Sequence, residues 1–162
     1  MTEGKAVPVK PVVLTFDDGY PDTYSIVMPV MKEFGFPCTV FIPTYDADQG
    51  TRLTWQQIQE MKDAGITIAS HSYRHERLTE LSAAAVEEDV QKSQEELKQR
   101  LGIDNEFFCY PYGRVNEAVE DVMKKARHQA GRDHESGMGE ARRQSLCRQP
   151  HLDWQRRRYR KL

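Results

Sequence analysis

Two neighbouring carboxylates, Asp17 and Asp18, stand at the end of an apolar run and directly before a Gly-Tyr-Pro turn. Side chains on a strand alternate between faces, but the alternation breaks where a strand ends, so both aspartates can reach into one site. Two carboxylates held together repel each other, and one stays protonated unless a cation lies between them. The pair therefore points to a cation site, whereas an ordinary Asp-Gly turn explains Gly19 and one of the aspartates.

A second set of candidate ligands is the histidine pair in the stretch SHSYRH. His71 and His75 stand four residues apart, a spacing that would place them one helical turn apart on one face. Neutral imidazoles and a carboxylate are good ligands for a divalent metal, although alone the pair could be two unrelated surface histidines. Together with one aspartate, the pair gives three protein ligands and leaves room for water, as in a catalytic rather than a structural site.

The two aspartates would then have separate roles. One would bind the metal, and the other could act as a general base toward a metal-bound water, whose pKa the metal lowers toward ~7. A third segment, YPYG at residues 110–113, is a turn whose backbone N–H groups could face a developing oxyanion. An ordinary Pro-aromatic-Gly turn would have the same sequence.

The elements predicted around these residues alternate between strand and helix. Alternation of this kind favours a parallel sheet or barrel with helices outside, and sites in such folds lie at the carboxyl ends of the strands. The aspartates, the histidines and the YPYG turn each follow a predicted strand, so we expect them to share one edge of the sheet. The strands are predicted at residues 12–16, 38–44, 66–70 and 106–110, and the helices from Asp22 or Thr23 to Gly35 with a late start or kink at Pro29, from Thr54 to Gly65, from Ser82 to Leu101, and after Asn116.

The composition is that of one globular domain with a core. Of the 162 residues, 30% are charged and 38% hydrophobic, and the net charge of −2 gives no general case for a nucleic-acid or membrane partner. Cys38, Cys109 and Cys147 are too widely spaced for a disulfide framework or a zinc ribbon. The polar N-terminal stretch predicts neither a signal peptide nor a transmembrane helix, so we expect a cytoplasmic protein or an excised domain of an exported one.

The motifs TFDDG, HSYRH and YPYG, in this order and spacing, resemble the first three motifs of the NodB-homology polysaccharide deacetylases, carbohydrate esterase family 4. The resemblance covers roughly residues 12–126. It implies an α/β fold, a distorted (β/α) barrel of the NodB-homology type that is incomplete at its C-terminal side. It also implies removal of N-acetyl or O-acetyl groups from sugars of chitin, peptidoglycan, poly-N-acetylglucosamine or xylan.

The same resemblance implies roles for single residues. Asp17 is expected to be the catalytic base, and the backbone N–H of Tyr112 is expected to help hold the oxyanion. The metal, usually zinc in this family, is expected to be held by Asp18, His71 and His75.

The chain departs from the family pattern in two places. Many members have an arginine that orients the base where this chain has Cys109; the form FCYPYG resembles a branch that includes poly-N-acetylglucosamine deacetylases. The later motifs, which supply the general acid, find no match. The stretch LDWQ echoes one of them by chance, and His128, His134 and His151 lie in polar, arginine-rich surroundings.

The composition changes at Arg127. Residues 1–126 are predicted to be a truncated catalytic domain, and residues 127–162 an irregular basic tail with almost no periodic apolar residues. The tail could bind an anionic polymer. Translation of possible codons from the second base of the Arg127 codon can instead give the sequence of an apolar strand. The preferred interpretation is therefore that the tail is a frame-shifted translation of a deacetylase gene.

The predicted function is that of a metal-dependent hydrolase, with zinc as cofactor and an acetylated glycan as partner, most directly an N-acetylated polymer. One alternative is a non-catalytic carbohydrate- or metal-binding domain, which the missing general acid favours and the presence of Asp17 opposes. Phosphoryl transfer by the aspartate pair is a third possibility. It usually needs a phosphate-cradling Lys, Arg or glycine-rich loop, and none follows a strand here.

Overall fold

The computed structural model of the protein describes residues 12–105 and 107–130, with side chains as far as residue 126. Helices and strands alternate through this part of the chain, as the sequence predicts. They are β1 (Thr15–Phe16), a π-helical turn (Thr23–Val27) that leads into α1 (Met28–Phe34), β2 (Thr39–Ile42), α2 (Trp55–Asp63), β3 (Thr67–Ser70), α3 (Ala83–Leu101) and α4 (Glu117–Ala130).

The three strands form one parallel sheet in the order β1-β2-β3. The fourth predicted strand, at residues 106–110, is wrong for the described residues of that stretch, which form only a single parallel bridge between Phe108 and Ser70. Cys109 N–H donates to Ser70 O at 2.9 Å, and the chain then turns at the buried Pro111. Proline has no N–H to continue a ladder, so the pairing ends there.

The first helix begins differently from the sequence prediction. Asp22 has helical backbone angles and makes no side-chain capping bond, so neither Asp22 nor Thr23 caps this helix in the predicted way. The chain is π-helical over Thr23–Val27, and regular α-helix begins at Met28, immediately before Pro29. Helical backbone therefore runs without a break from residue 21, so the helix does not start late at Pro29 but has a π-helical segment just before it. Gly35 ends the helix with a left-handed φ of 64°.

The predicted caps of α2 and α3 are confirmed. Thr54 Oγ1 accepts the Gln57 N–H at 3.2 Å, and Gln57 Oε1 accepts the Thr54 N–H at 2.9 Å, which together form a capping box. Ser82 Oγ accepts the N–H of Ala85 at the start of α3, and Gly102 ends that helix. In the described residues, no helix is both long and apolar enough to cross a membrane.

The last described helix extends further than predicted. Asn116 Oδ1 accepts the Val119 N–H at 3.0 Å, which confirms the predicted cap. The helix then continues through Ala130, four residues beyond the predicted boundary at Ala126. Predictions for residues 131–162, including those for His134 and His151, lie outside the described part of the chain.

Two apolar clusters hold these elements together. One lies between the sheet and α2, with members from the end of α3, and the other lies between α3 and α4. Helix α3 contributes to both, so it joins the sheet to the last helix. Among the fully buried side chains are Val40, Leu53, Ile58, Met61, Val90 and Leu97.

Gly19 fixes the chain where it leaves β1. Its φ is +61°, and a Cβ atom at this position would lie 3.0 Å from Ile42 Cγ2. Its carbonyl accepts the Leu53 N–H at 2.9 Å. The turn after Asp18 therefore packs directly on the core and leaves no room for a side chain.

We expect Gly19→Ala to destabilise the protein more than Gly35→Ala. Both glycines have φ near +60°, so each substitution should cost ~1–2 kcal/mol of backbone strain. Only Gly19→Ala adds overpacking against Ile42, which typically costs a further ~1–3 kcal/mol. Urea unfolding of the two variants checks this. Equal losses would show that the core yields at Ile42.

Candidate functional site

The loops that carry the candidate residues meet at one edge of the sheet. Asp17 and Asp18 directly follow β1, and His71 directly follows β3. The bridge at Phe108 places the turn containing Tyr112 beside the end of β3. The expected convergence at the carboxyl ends of parallel strands is therefore what the structure shows.

Asp18, His71 and His75 bring three possible ligand atoms together. Asp18 Oδ1 lies 3.0 Å from His75 Nε2 and 3.6 Å from His71 Nε2, and the two Nε2 atoms are 3.1 Å apart. Ligand atoms bound ~2.0–2.1 Å from a tetrahedral zinc ion lie ~3.3 Å from one another, so this triangle has the size that zinc requires. Asp18 Oδ1 is buried and has no hydrogen bond of good geometry, a state that a cation would satisfy.

The histidines meet through a loop and not through a helical turn. The predicted helical spacing is wrong, because no helix covers residues 71–75 and both Ser72 and His75 have left-handed backbones, with φ of 70° and 56°. Asp18 is also left-handed, with φ of 72°. Such conformations cost of order 1–3 kcal/mol each in residues other than glycine and cluster at functional sites. The strain is therefore concentrated on residues that form or flank the ligand triangle.

The orientation of His71 follows from its second ring nitrogen. His71 Nδ1 lies 2.9 Å from the backbone oxygen of Cys109. A carbonyl oxygen only accepts hydrogen bonds, so Nδ1 carries a proton and donates it, and in the neutral form of the ring the lone pair would be on Nε2. This is the arrangement found around metal-ligating histidines. Nε2 is the atom that points to Asp18 and His75.

The surroundings of His75 favour its neutral form. Burial lowers the pKa of His75, and the neighbouring His71 lowers it further, while Asp18 acts in the opposite direction. The imidazole is therefore neutral at neutral pH, as a metal ligand must be. The ring also lies against Tyr112, with 4.8 Å between the ring centroids.

Asp17 lies beside the ligand triangle but outside it. Its Oδ1 atom is buried and has no hydrogen-bond partner. Ligating atoms of Asp17, His71 and Cys109 lie within 4.8 Å of one another, which makes a second group that shares His71 with the first. Each of the two aspartates thus has a carboxylate oxygen within 4.8 Å of a ring nitrogen of His71.

Cys109 was missed as a site residue by reasoning from the sequence. Its carbonyl accepts from His71, and its thiol belongs to the group with Asp17. The available signal was its position two residues before Pro111, where the family pattern has an arginine. A cysteine at that position lacks the positive charge of the arginine in the family pattern.

Tyr112 sits in a short turn with an unusual backbone. Its φ of 58° is left-handed, and the surrounding turn is closed by bonds from Gly113 N–H to Tyr110 O and from Arg114 N–H to Pro111 O. Both of these bonds use amides that follow Tyr112. Tyr112 is 59% exposed, and its ring contacts the His75 ring and has the Arg77 guanidinium over it, 5.4 Å from the centroid.

Arg52 is a further residue near the site, and reasoning from the sequence did not find it. Its guanidinium lies over the Tyr20 ring, 3.9 Å from the centroid, and 3.7 Å from the Asp46 carboxylate. Burial lowers the pKa of Arg52, but contact with Tyr20 and the charges of Tyr20, Asp18 and Asp46 outweigh this effect and leave the pKa raised. The site therefore has a permanent cation on the side of Asp18.

Comparison with known proteins decides the family. The sequence profile described as polysaccharide deacetylase matches residues 4–131, which is most of the chain. The chain belongs to the polysaccharide deacetylase family. Members of this family, carbohydrate esterase family 4, are hydrolases and are generally metal-dependent, and the triangle of Asp18, His71 and His75 is a possible metal-binding group in this member.

Two relatives illustrate the range of similarity. The putative polysaccharide deacetylase YxkH of Bacillus subtilis is 31% identical over 85% of this chain and 49% of its own length. The poly-β-1,6-N-acetyl-D-glucosamine N-deacetylase of Escherichia coli K12 is 26% identical over 85% of this chain and 27% of its own length. The chain thus spans about half or less of these relatives.

A solved structure shows the same fold. The Streptococcus pyogenes deacetylase PplD, determined in complex with acetate, aligns with a TM-score of 0.71 and 26% identity over 76% of this chain and 55% of that one. The fold is thus the expected α/β, distorted barrel of the NodB-homology type. The family assignment removes the support for a phosphoryl-transfer enzyme.

Addition of zinc to metal-free deacetylase should raise its unfolding temperature, because a cation offsets the crowding of the three ligand atoms. A ligand at 100 times its Kd stabilises the folded state by ~2.7 kcal/mol. Differential scanning calorimetry with and without zinc measures the shift. His75→Ala should remove most of it, and Glu95→Gln, at an exposed position of α3, should not. An undiminished shift in His75→Ala would contradict the ligand triangle.

Proposed function

We propose that this deacetylase uses zinc to remove acetyl groups, N-acetyl groups in the first instance, from a carbohydrate polymer such as poly-N-acetylglucosamine, chitin or peptidoglycan. The observation that carries the proposal is the meeting of Asp18, His71 and His75 beside a second carboxylate, Asp17. The Escherichia coli relative, named as acting on poly-β-1,6-N-acetyl-D-glucosamine, supports the choice of substrate.

Asp18, His71 and His75 would hold the zinc ion. Their donor set, one carboxylate and two neutral imidazoles, is a common zinc-binding combination that leaves a coordination position open. Bound zinc supplies a lowered pKa for water and polarisation of the acetyl carbonyl. The side chains themselves provide orientation, because His71 is fixed by Cys109 O and His75 packs on Tyr112.

Asp17 would accept the proton of the attacking water. A buried carboxylate oxygen without a partner needs a donor, and a water O–H directed at Oδ1 supplies one. Asp17 stands outside the ligand triangle but within reach of His71, so it can act on water held at the same place. This separation supports a role for Asp17 as the general base.

The backbone N–H of Tyr112 would donate to the oxyanion that forms when water attacks the carbonyl. The left-handed conformation at Tyr112 and the packing of its ring on His75 support this placement beside the ligand triangle. A backbone donor fixed in this way does not reorganise during the reaction. The Arg77 guanidinium lies over the Tyr112 ring on the exposed side of the turn.

The alternative is a non-catalytic domain that binds carbohydrate or metal. One observation favours it: the only histidines in residues 12–126 are His71 and His75, so no third histidine is there to protonate the leaving amine. The side chain of His128 and the positions of His134 and His151 lie outside the described part. Acetate release from a panel of acetylated glycans, with and without zinc, separates the two functions. Zinc-dependent release supports the enzyme, and binding without release supports the alternative.

Asp17→Asn should lower turnover by ~10²–10⁴-fold, the usual range for loss of a general base, and leave zinc affinity unchanged. The substitution keeps the shape of the side chain and removes its ability to take a proton. Asp18→Asn is the matched comparison and should lose zinc. Steady-state acetate release and zinc titration measure the two effects. If Asp17→Asn loses zinc and Asp18→Asn retains it, the two roles are reversed.

We also propose that residues 1–126 are the catalytic domain and that residues 127–162 are a frame-shifted reading. The family profile ends at residue 131, close to the change in composition after Ala126. Sequencing the source DNA around the Ala126 codon should reveal an alternative frame that encodes an apolar strand. A single clean frame would rule out the frame shift.

A further inference from the structure

The loop that carries the two histidines is anchored to α3 by a buried carboxylate. Asp89 is only 6% exposed, and its two oxygens accept the backbone N–H groups of Tyr73 and Arg74 at 2.9 and 3.0 Å. These two amides lie between His71 and His75 in the chain. A buried carboxylate that accepts two bonds holds both peptide units in a fixed orientation.

A second connection from α3 reaches the same loop through hydroxyl groups. Ser93 Oγ lies 2.6 Å from Ser70 Oγ, which accepts the Ser72 N–H at 3.1 Å. Ser72 Oγ in turn accepts the His75 N–H at 2.9 Å. All three serines are fully buried. Three hydrogen bonds, joined through the backbone and side chain of Ser72, therefore connect α3 to His75.

We propose that Asp89 and Ser93 are positioning residues that set the distance and orientation of His71 and His75 for the metal. The inference depends on the proposed metal site but assigns a role to residues that do not touch the ion. Asp89 and Ser93 are one helical turn apart on α3, so both face the loop from one rigid element.

The loop needs such support because of its backbone. Ser72 and His75 are both in the left-handed region, and flexible chain would not hold this conformation by itself. The Tyr73 and Arg74 amides lie between these two residues, and Asp89 fixes them both. Release of Asp89 would let the loop relax, and His75 Nε2 would leave the place where it meets His71 Nε2.

The test is zinc affinity, measured on folded protein by competition with a chromophoric chelator. Asp89→Asn keeps the size of the side chain but turns an N–H₂ group toward one of the two amides. We expect its zinc affinity to fall ~10-fold or more, the range seen when outer partners of metal ligands are changed. Asp89→Ala should lose more, so that the asparagine variant gives partial rescue. Glu95→Gln on the same helix is the control and should bind zinc as the parent protein does.

Ser93→Ala provides an independent variant in case Asp89 variants do not fold. It removes one hydroxyl from the second connection, and its zinc affinity should lie between those of the parent protein and Asp89→Asn. Circular dichroism and the unfolding temperature of the zinc-free proteins show how much stability each variant loses. A purely structural role would lower the unfolding temperature and leave zinc affinity unchanged.

The outcomes separate this inference from the proposed function. If the parent protein itself binds no zinc, the proposed metal site is wrong. If the parent binds zinc and the folded Asp89 and Ser93 variants bind it within twofold of the parent, the positioning role is wrong and the metal site stands. Weakened binding in these variants, with Glu95→Gln unchanged, supports the positioning role.

Discussion

The site at the carboxyl edge of the sheet depends on one constraint: Asp18 Oδ1, His71 Nε2 and His75 Nε2 must stay about 3 Å apart. At this distance the three atoms repel one another and exclude water from one another. An unfolded chain would not bring a carboxylate oxygen and two imidazole nitrogens this close together. The chain achieves this with unusual backbone at Asp18, Ser72 and His75. The regular elements provide the rigid framework that keeps those conformations in place.

Few elements are needed to bring the site residues together, because the parallel strands all end at the same edge of the sheet. The two aspartates follow β1 and His71 follows β3. The bridge at Phe108 places the Cys109 carbonyl where it orients His71. Helix α3 contacts the histidine loop through Asp89 and Ser93, and it also contributes side chains to both apolar clusters. The same helix therefore links core packing to site geometry.

Helix ends that depend on neighbouring residues could be predicted from the sequence, and contacts between residues far apart in the chain could not. The cap at Thr54 and the stop at Gly102 depend on neighbouring residues, so they were predictable. The strand predicted at residues 106–110 reduces to one bridge because Pro111 ends the pairing. The left-handed loop between the histidines has no sequence signature, and a spacing of four suggested a helix instead. Arg52 and Asp89 reach the site only through folding, so composition and spacing could not reveal them.

Asp18, the first proposed ligand in the chain, follows the shortest strand, β1. A bound metal would therefore also fix the position of that strand. In the described part of the chain, β1 has two residues and pairs with β2 on one side, so it is a short edge strand with few ladder hydrogen bonds. In the proposed holoenzyme, an ion shared by Asp18 and the histidine loop would close a segment of roughly fifty residues, as a disulfide would. Such a clip removes conformational freedom from the unfolded chain. The zinc ion would then stabilise the edge of the sheet as a cross-link, in addition to its role in catalysis.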